Sequence, residues 1–325
     1  MNSVNSSAPI AILGDIMMDI DAHVSGLHTL IDSRGSDIPS DISLTCGGSA
    51  SNTAAWLSHL GSRTILMGAI GEDPAGQYVL DQLELLGVET SIKVDEVMST
   101  GMCIVLTEDD GSRTMIPSAG ASGNLSTIDI DLLWPSESIS HFHLSAYSLF
   151  HRHTREAALH SIRRAKALGA TTSLDPSAHT LISHHFPSIK EALLHTDVLL
   201  ANHEEAVAIY IAMGLRPSPD ELTLEEMMNG LATSLWVGRD TPHALVVTLE
   251  SKGAAALDNS GSITQQPALK IPLVVSTAGA GDAFNAGFLK AWTEDPGAIL
   301  TAVVSGNSAA AEVLNRVGAS PPARY

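Results

Sequence analysis

Short apolar runs alternate along most of the chain with longer stretches whose apolar residues recur at helical spacing. Ile10–Leu13, Thr64–Ile70, His141–Ser145, Ala170–Asp175, Val198–Ala201 and Ala244–Leu249 read as buried strands. Helices are predicted over Ser51–Leu60, stopped by Gly61, and over Pro74–Leu86, with Pro at the start and Gly87 past the end. Further helices follow over His153–Leu168, Ile189–His195, His203–Met213, Leu224–Trp236, Ala280–Glu294 and Ala298–Arg316. This rhythm predicts an α/β fold, a doubly wound, mainly parallel sheet flanked by helices. Residues 15–46 and 98–122 interrupt it. In the second, Gly101–Thr107 and Arg113–Pro117 flank Glu108-Asp-Asp-Gly111, a hairpin signature. The two segments are expected to form a small separate β-sheet inserted in a single domain over 1–325. In doubly wound sheets, ligands gather where strand C-termini meet helix N-termini, so polar and Gly residues there carry most weight.

Composition narrows the partners. The 325 residues carry 36 acidic against 17 basic side chains, a formal charge of −19. Such a surface repels nucleic acid and anionic lipid, so an anionic ligand must be held by local devices: backbone amides, a helix start, a metal ion. Two cysteines make no disulfide framework and fit a cytoplasmic location. The start, MNSVNSSAP, reads as a short disordered tail without the marks of a signal peptide, and no apolar run reaches membrane-spanning length.

Ser276-Thr-Ala-Gly-Ala-Gly-Asp282 is the strongest local chemical signal. Gly279 and Gly281 let another molecule approach the backbone, and the helix that follows offers free N–H groups and its dipole to an anion. Asp282 reads alone as an N-cap. Beside an anion hole, it is also what phosphoryl transfer needs in a base.

The segment resembles the C-terminal signature of the ribokinase, or phosphofructokinase-B (PfkB), family, Asp-Thr-x-Gly-Ala-Gly-Asp. Other family marks follow in order, so the resemblance runs from Ile10 to about Ala319. It implies a ribokinase-like domain with a β lid, ATP and Mg²⁺, and γ-phosphoryl transfer to a hydroxymethyl group. By it Asp282 is the base, and Gly279, Ala280 and Gly281 make the anion hole. Ser276 departs from the pattern: the family's Asp there helps bind an activating monovalent cation, for which neutral Ser is a weaker ligand.

Gly14-Asp15-Ile-Met-Met-Asp19 resembles the motif after the family's first strand, whose acids accept hydrogen bonds from sugar hydroxyls. Gly47-Gly48-Ser-Ala-Ser-Asn52 resembles the N-terminal signature, with Asn52 offered to a hydroxyl. Read locally, it is a Gly turn with Ser49 or Ser51 as N-cap. Met17 and Ser49 replace the Asn and Lys of ribokinases proper, which argues against a strict ribose pocket. Met102, Ile104 and Met115 are expected in the lid, facing either its own core or the substrate. Ala119-Gly-Ala-Ser122 lacks the Arg of many relatives, which favours a neutral acceptor over a sugar phosphate. Gly71-Glu-Asp73-Pro-Ala-Gly76 matches a family loop read as mainly structural, with Asp73 a helix cap.

Asn202-His-Glu-Glu205 matches a family motif in which Glu205 holds Mg²⁺ through water. Read alone, it is a capped helix start. Asp175 ends another strand, within reach of substrate or metal-bound water. Thr248, Lys252, Gly253, Thr277 and Asn307 fall on the nucleotide side by resemblance, with Glu250 replacing a family Gly. The fourteen histidines lack Cys partners and a His-Glu-x-x-His pattern, and read as solvated or satisfied. Neither a nucleophile elbow nor a Walker loop is present. The first strand lacks the Gly-x-Gly-x-x-Gly of a dinucleotide oxidoreductase. A sugar kinase is the first expectation and a nucleoside kinase, adenosine- or pseudouridine-type, the second. A catalytically silent nucleotide- or sugar-binding sensor is the rival from another class, and a homodimer paired through the lid is a further expectation.

Overall fold

A computed structural model describes residues 8–26, 28, 32–109, 112–215, 222–239, 241–316 and 318–322. The predicted N-terminal tail and the hairpin's Asp110 and Gly111 lie largely or wholly outside the described residues, as do residues 27 and 29–31 of the first inserted segment.

Strands β1 (Ile10–Leu13), β4 (Thr64–Gly71), β5 (Glu89–Asp95), β8 (His141–Ser145), β9 (Thr171–Asp175), β10 (Val198–Asn202) and β11 (Ala244–Thr248) form the parallel part of a nine-stranded sheet. Two antiparallel strands, β12 (Ala254–Asp258) and β13 (Ile263–Gln266), extend one edge, giving the order β13-β12-β11-β10-β9-β8-β1-β4-β5. A separate four-stranded sheet has the order β3-β2-β6-β7, from β2 (Met17–Val24), β3 (Ile42–Gly47), β6 (Gly101–Glu108) and β7 (Arg113–Ser118). The doubly wound sheet and the small lid sheet are as predicted.

The strands read as continuous apolar runs because both sheet faces are covered. Along β1, Ala11 and Leu13 enter one core and Ile10 and Ile12 the other. Helices α1 (Ser49–His59), α2 (Pro74–Leu85), α8 (Ala280–Glu294) and α9 (Ile299–Val313) cover the Ile12 face, and α8 packs on α9 and α1. The opposite face carries α3 (Thr127–Leu133), α4 (Arg155–Ala167), α5 (His179–Leu193), α6 (His203–Ala212) and α7 (Leu224–Trp236).

Helix α5 begins ten residues before the predicted Ile189 and carries Pro187 inside it. Pro forfeits one helical hydrogen bond, but Ile182, Ile189, Ala192 and Leu193 are all buried on one side, and that packing outweighs the local penalty. Strands β5, β12 and β13 were not legible. The first is a polar edge strand, and the Ala-rich β12 has low strand propensity.

Strand β1 lies between β4 and β8, so the chain winds in opposite directions on its two sides. That switch point opens a crevice at the strand C-termini. Asp15, Ser145, Asp175, Asn202 and Thr248 end or follow parallel strands there, and the lid sheet leaves β1 at the same place.

Candidate active site

A cavity of about 440 Å³ occupies the crevice between the lid and the large sheet. Asp282 lies on its wall in the first turn of α8. The residue before that helix, Gly279, has φ 72°, and a Cβ there would lie 2.7 Å from the Ala319 carbonyl oxygen and side chain. Only Gly suits that position. Gly281 faces open space, with nothing within 4 Å of an added Cβ. The turn therefore presents backbone to the cavity rather than side chains.

Asp282 is not the helix cap that local reading allowed, since α8 has no side-chain cap. Its Oδ1 accepts the Ser49 hydroxyl at 2.8 Å and its Oδ2 the Asn52 amide at 2.9 Å, both from α1. Asn52, expected to meet a substrate hydroxyl, lines the cavity, and its amide also orients the carboxylate. Burial, and then the charge of Asp175, push the Asp282 carboxyl up to about 7, while Asn52 and Ser49 pull it back. A carboxylate with that poise can take a proton from an alcohol near neutral pH.

The expected Ser caps of α1 are corrected too. Its N-cap is Gly48, at φ 97°, and Ser49 and Ser51 lie within the helix. The helix N–H groups of Ser49 and Ala50 donate instead to Asp15, at 2.8 and 3.4 Å, and Ser145 Oγ donates to it at 3.1 Å. Asp15 thus braces the start of α1 and still lines the cavity. Its carboxyl is raised by burial. Asp19 lies over Gly47, where a Cβ would fall 2.2 Å from its carboxyl. Burial and the charges of Asp15, Asp21 and Asp282 raise Asp19 to about 7, and Arg113 counteracts them.

Strand register decides which lid residues face the cavity. Met17, Asp19, Cys103, Val105, Met115 and Pro117 share the inner face of the pleat. Met102 and Ile104 lie on the alternate positions and point away from it, so only Met115 of the three expected residues lines the cavity.

Asn202 caps α6 and forms a capping box with Glu205, whose Oε2 accepts the Asn202 N–H at 2.9 Å. The capped helix start and the place beside the cavity hold together, because Asn202 and Glu205 also line it. Asp175 accepts the Ser177 N–H at 2.7 Å and the Asn285 amide at 2.8 Å. Asp175 and Glu205 are both raised, by burial first, and the Glu205 charge adds to the effect on Asp175. A divalent cation would relieve that repulsion, so the donor set fits Mg²⁺. Among the described residues no group of three or more His, Cys, Asp or Glu could hold a metal by itself.

The remaining nucleotide-side residues divide. Thr248 lines the cavity, whereas Lys252, Gly253, Thr277 and Asn307 do not. Lys252 and Thr277 are exposed. The Asn307 amide donates to the carbonyls of Gln266 and Pro267, and Gly253 (φ 93°) packs under Gln266. Both therefore build the β12–β13 edge. Glu250 adopts φ 52°, the left-handed region that favours the Gly it replaces. Asp73 caps α2, accepting the Gly76 N–H at 2.8 Å, and also accepts from Thr100 at the lid's entry. His141 and His143 are buried and share Ser173, with burial holding both well below the usual imidazole range, so they are core residues. Ser49 and Arg113 were missed as site residues. Ser49 had a signal, its place in the Gly-Gly-x-x-x-Asn segment; Arg113 had none.

The pfkB family carbohydrate kinase model matches residues 7–324. The chain belongs to the pfkB family of carbohydrate kinases. The kinase is 29% identical over 274 residues to an ATP-dependent ribose-1-phosphate kinase of Halopiger xanaduensis, covering 84% of this chain and 81% of that one. Its fold is shared with a probable sugar kinase from Rhizobium etli, at TM-score 0.83 and 23% identity over 97% and 95% of the two chains. An adenosine kinase from Sinorhizobium meliloti is similar at TM-score 0.81 and 22% identity, over 97% and 96%. Sugar and nucleoside kinases thus stand side by side among its relatives. No helix among the described residues is long and apolar enough to cross a membrane.

Proposed function

We propose that the kinase moves the γ-phosphoryl group of ATP to a hydroxymethyl group of a small neutral sugar, with Asp282 as general base. The observation that carries this reading is the Asp282 carboxylate, raised to about 7 and aimed by Ser49 and Asn52 beside the bare Gly279–Gly281 turn. The base takes the hydroxyl proton as the oxygen attacks. Amides of Gly279, Ala280 and Gly281 and the α8 dipole hold the charge on the transferring group. Asp19, with Asp15 behind it, accepts from acceptor hydroxyls. Glu205, with Asp175, would hold Mg²⁺ through water, and the ion would neutralise phosphate charge. The lid excludes water that would otherwise hydrolyse ATP.

The lining favours a neutral acceptor. Asp15, Asp19, Asp21, Asp175, Glu205 and Asp282 border the cavity, and no Lys or Arg does among the described residues. Away from the anion hole and the metal, an anionic acceptor would meet mainly like charge from these six carboxyls. A nucleoside is the second reading, favoured by the apolar wall of Met17, Cys103, Val105, Met115 and Pro117, which suits a base better than a hydroxyl. A coupled ADP-release assay over neutral sugars, nucleosides and sugar phosphates tests both. Nucleotide binding with no turnover on any acceptor would sink the kinase reading and leave a sensor.

The lid's outer face favours a homodimer. Leu44, Ile20, Ile104 and Ile116 stand in register across its four strands, and Leu44, Ile104 and Ile116 are exposed. Light scattering on the purified protein would show a dimer, and a Leu44→Asp, Ile116→Asp variant should be monomeric. Buried free thiols, Cys46 pushed up to about 12 and Cys103 to about 11, suit a reducing cytoplasm.

A further inference from the structure

Arg113 opens β7 and pairs with Thr107 of β6, on the same pleat face as Met115 and Pro117. It therefore points toward the body of the enzyme. Its guanidinium Nη2 donates to Ser276 Oγ, 163 residues away in sequence. Ser276 is buried, and its Oγ also accepts the Ala278 N–H at 3.2 Å, just before the Gly279 turn. From behind, the Val275 and Ser276 N–H groups donate to the Leu314 carbonyl, at 2.8 and 3.4 Å. The segment leading to the anion hole is thus held by α9 on one side and by a lid residue on the other.

On the lid side, Arg113 lies within electrostatic reach of Asp19 and Asp21, and Asp21 accepts the Thr107 hydroxyl at 2.8 Å. Arg113 Nε and Nη1 are buried with no hydrogen-bond partner among the described residues. A half-buried guanidinium with one hydrogen bond is a costly way to fasten a strand. Packing alone would be better served by an apolar side chain. A fixed positive charge between two acidic lid residues and the catalytic turn does something an apolar residue cannot.

Ser276 stands where the signature it resembles has an Asp, which by that resemblance implies a monovalent cation, and here its oxygen is already engaged by a cation that is part of the chain. The residues present do not fit a free ion at this oxygen. We propose that Arg113 is a positioning residue, a tethered cation that latches the lid to the turn bearing the anion hole and replaces a free monovalent ion there. The effect on turnover rests on the kinase reading above; the latch itself does not.

The test uses the full chain and three variants, Arg113→Met, Arg113→Lys and Ser276→Ala. Hydrogen exchange on the ligand-free protein reads the latch without activity. Losing a charge-assisted bond should speed exchange in 113–118 and 275–282 together, by about tenfold, in Arg113→Met and Ser276→Ala. Acceleration confined to the lid, or in neither segment, overturns the proposal. Steady-state kinetics in choline, sodium and potassium chloride at equal ionic strength reads the ion. The wild type should give one rate in all three. Arg113→Met should lose kcat by about tenfold or more and regain part of it on adding guanidinium or K⁺, with Arg113→Lys intermediate. Wild-type activation by K⁺, or an Arg113→Met defect that no cation relieves, overturns it. Should Arg113→Met not fold, Ser276→Ala and the wild-type salt series decide. Absence of turnover with every acceptor would defeat the kinase reading alone, since the exchange result would still stand.

Discussion

Replacing Asp282 by Asn separates the chemistry of this site from its stability. The amide is nearly isosteric, and its oxygen can still accept from Asn52 while its NH₂ donates to the Ser49 hydroxyl, so α1 and α8 should keep their packing. The carboxyl titrates at about 7 instead of 3.8. An acid raised in the fold weakens the native state as pH rises from its unfolded value through its folded one, because the unfolded chain ionises freely and the native site does not. Three units correspond to about 4 kcal/mol. Asp282 is only partly buried and cavity water screens it, so a gain of roughly 1–3 kcal/mol is expected for Asp282→Asn above pH 8. Thermal or urea melts at pH 5 and 8.5 would show the variant's advantage over the wild type growing toward the higher pH. In the same variant kcat should fall by about 10²–10⁴, with ATP affinity little changed. Turnover within tenfold of wild type would remove Asp282 as the base. An inactive variant less stable than wild type at pH 8.5 would show instead that the carboxylate serves the fold.

Other expectations follow from the same geometry. With Asp282 and Asp19 both titrating at about 7, kcat/KM for the acceptor should rise with pH through that value and flatten above it; a flat profile from pH 5.5 to 8.5 would contradict the poise of both. Asp15 and Asp175 are raised as well, so the ligand-free protein should melt at a lower temperature at pH 8.5 than at pH 6, and Mg²⁺ with ATP should narrow the difference. Gly47→Ala would drive a Cβ into the Asp19 carboxyl. It should raise KM for the acceptor by about tenfold or more, with KM for ATP unmoved, and an equal rise in both would place Asp19 elsewhere in the reaction. Glu205→Gln should shift the Mg²⁺ titration of activity to higher concentration by about 10–100-fold, while an unchanged titration would free Glu205 from any metal role.

Much of this enzyme was legible in its order of residues. Buried strands and amphipathic helices announce themselves by short-range periodicity, which gave the doubly wound sheet and the inserted lid. Glycines announce backbone that must pass close to something else, as Gly47 does under Asp19 and Gly279 does against Ala319. What stayed hidden depends on residues far apart in the chain. Asn52 and Ser49 reach Asp282 across 230 and 233 positions, and Arg113 reaches Ser276 across 163. Nothing local marks such pairs, because they exist only once β1 sets the switch point and brings α1 and α8 together. Strand register likewise separated Met115 from Met102 and Ile104, which composition treats alike. The chain alone thus determined most of its elements and the types of groups at its strand ends, since those rest on local backbone and side-chain preferences. The tertiary structure decided which carboxylates share a cavity, how far burial and mutual repulsion raise them, and which cation lies within reach of Asp19 and Asp21, since fields and desolvation depend on distance in space.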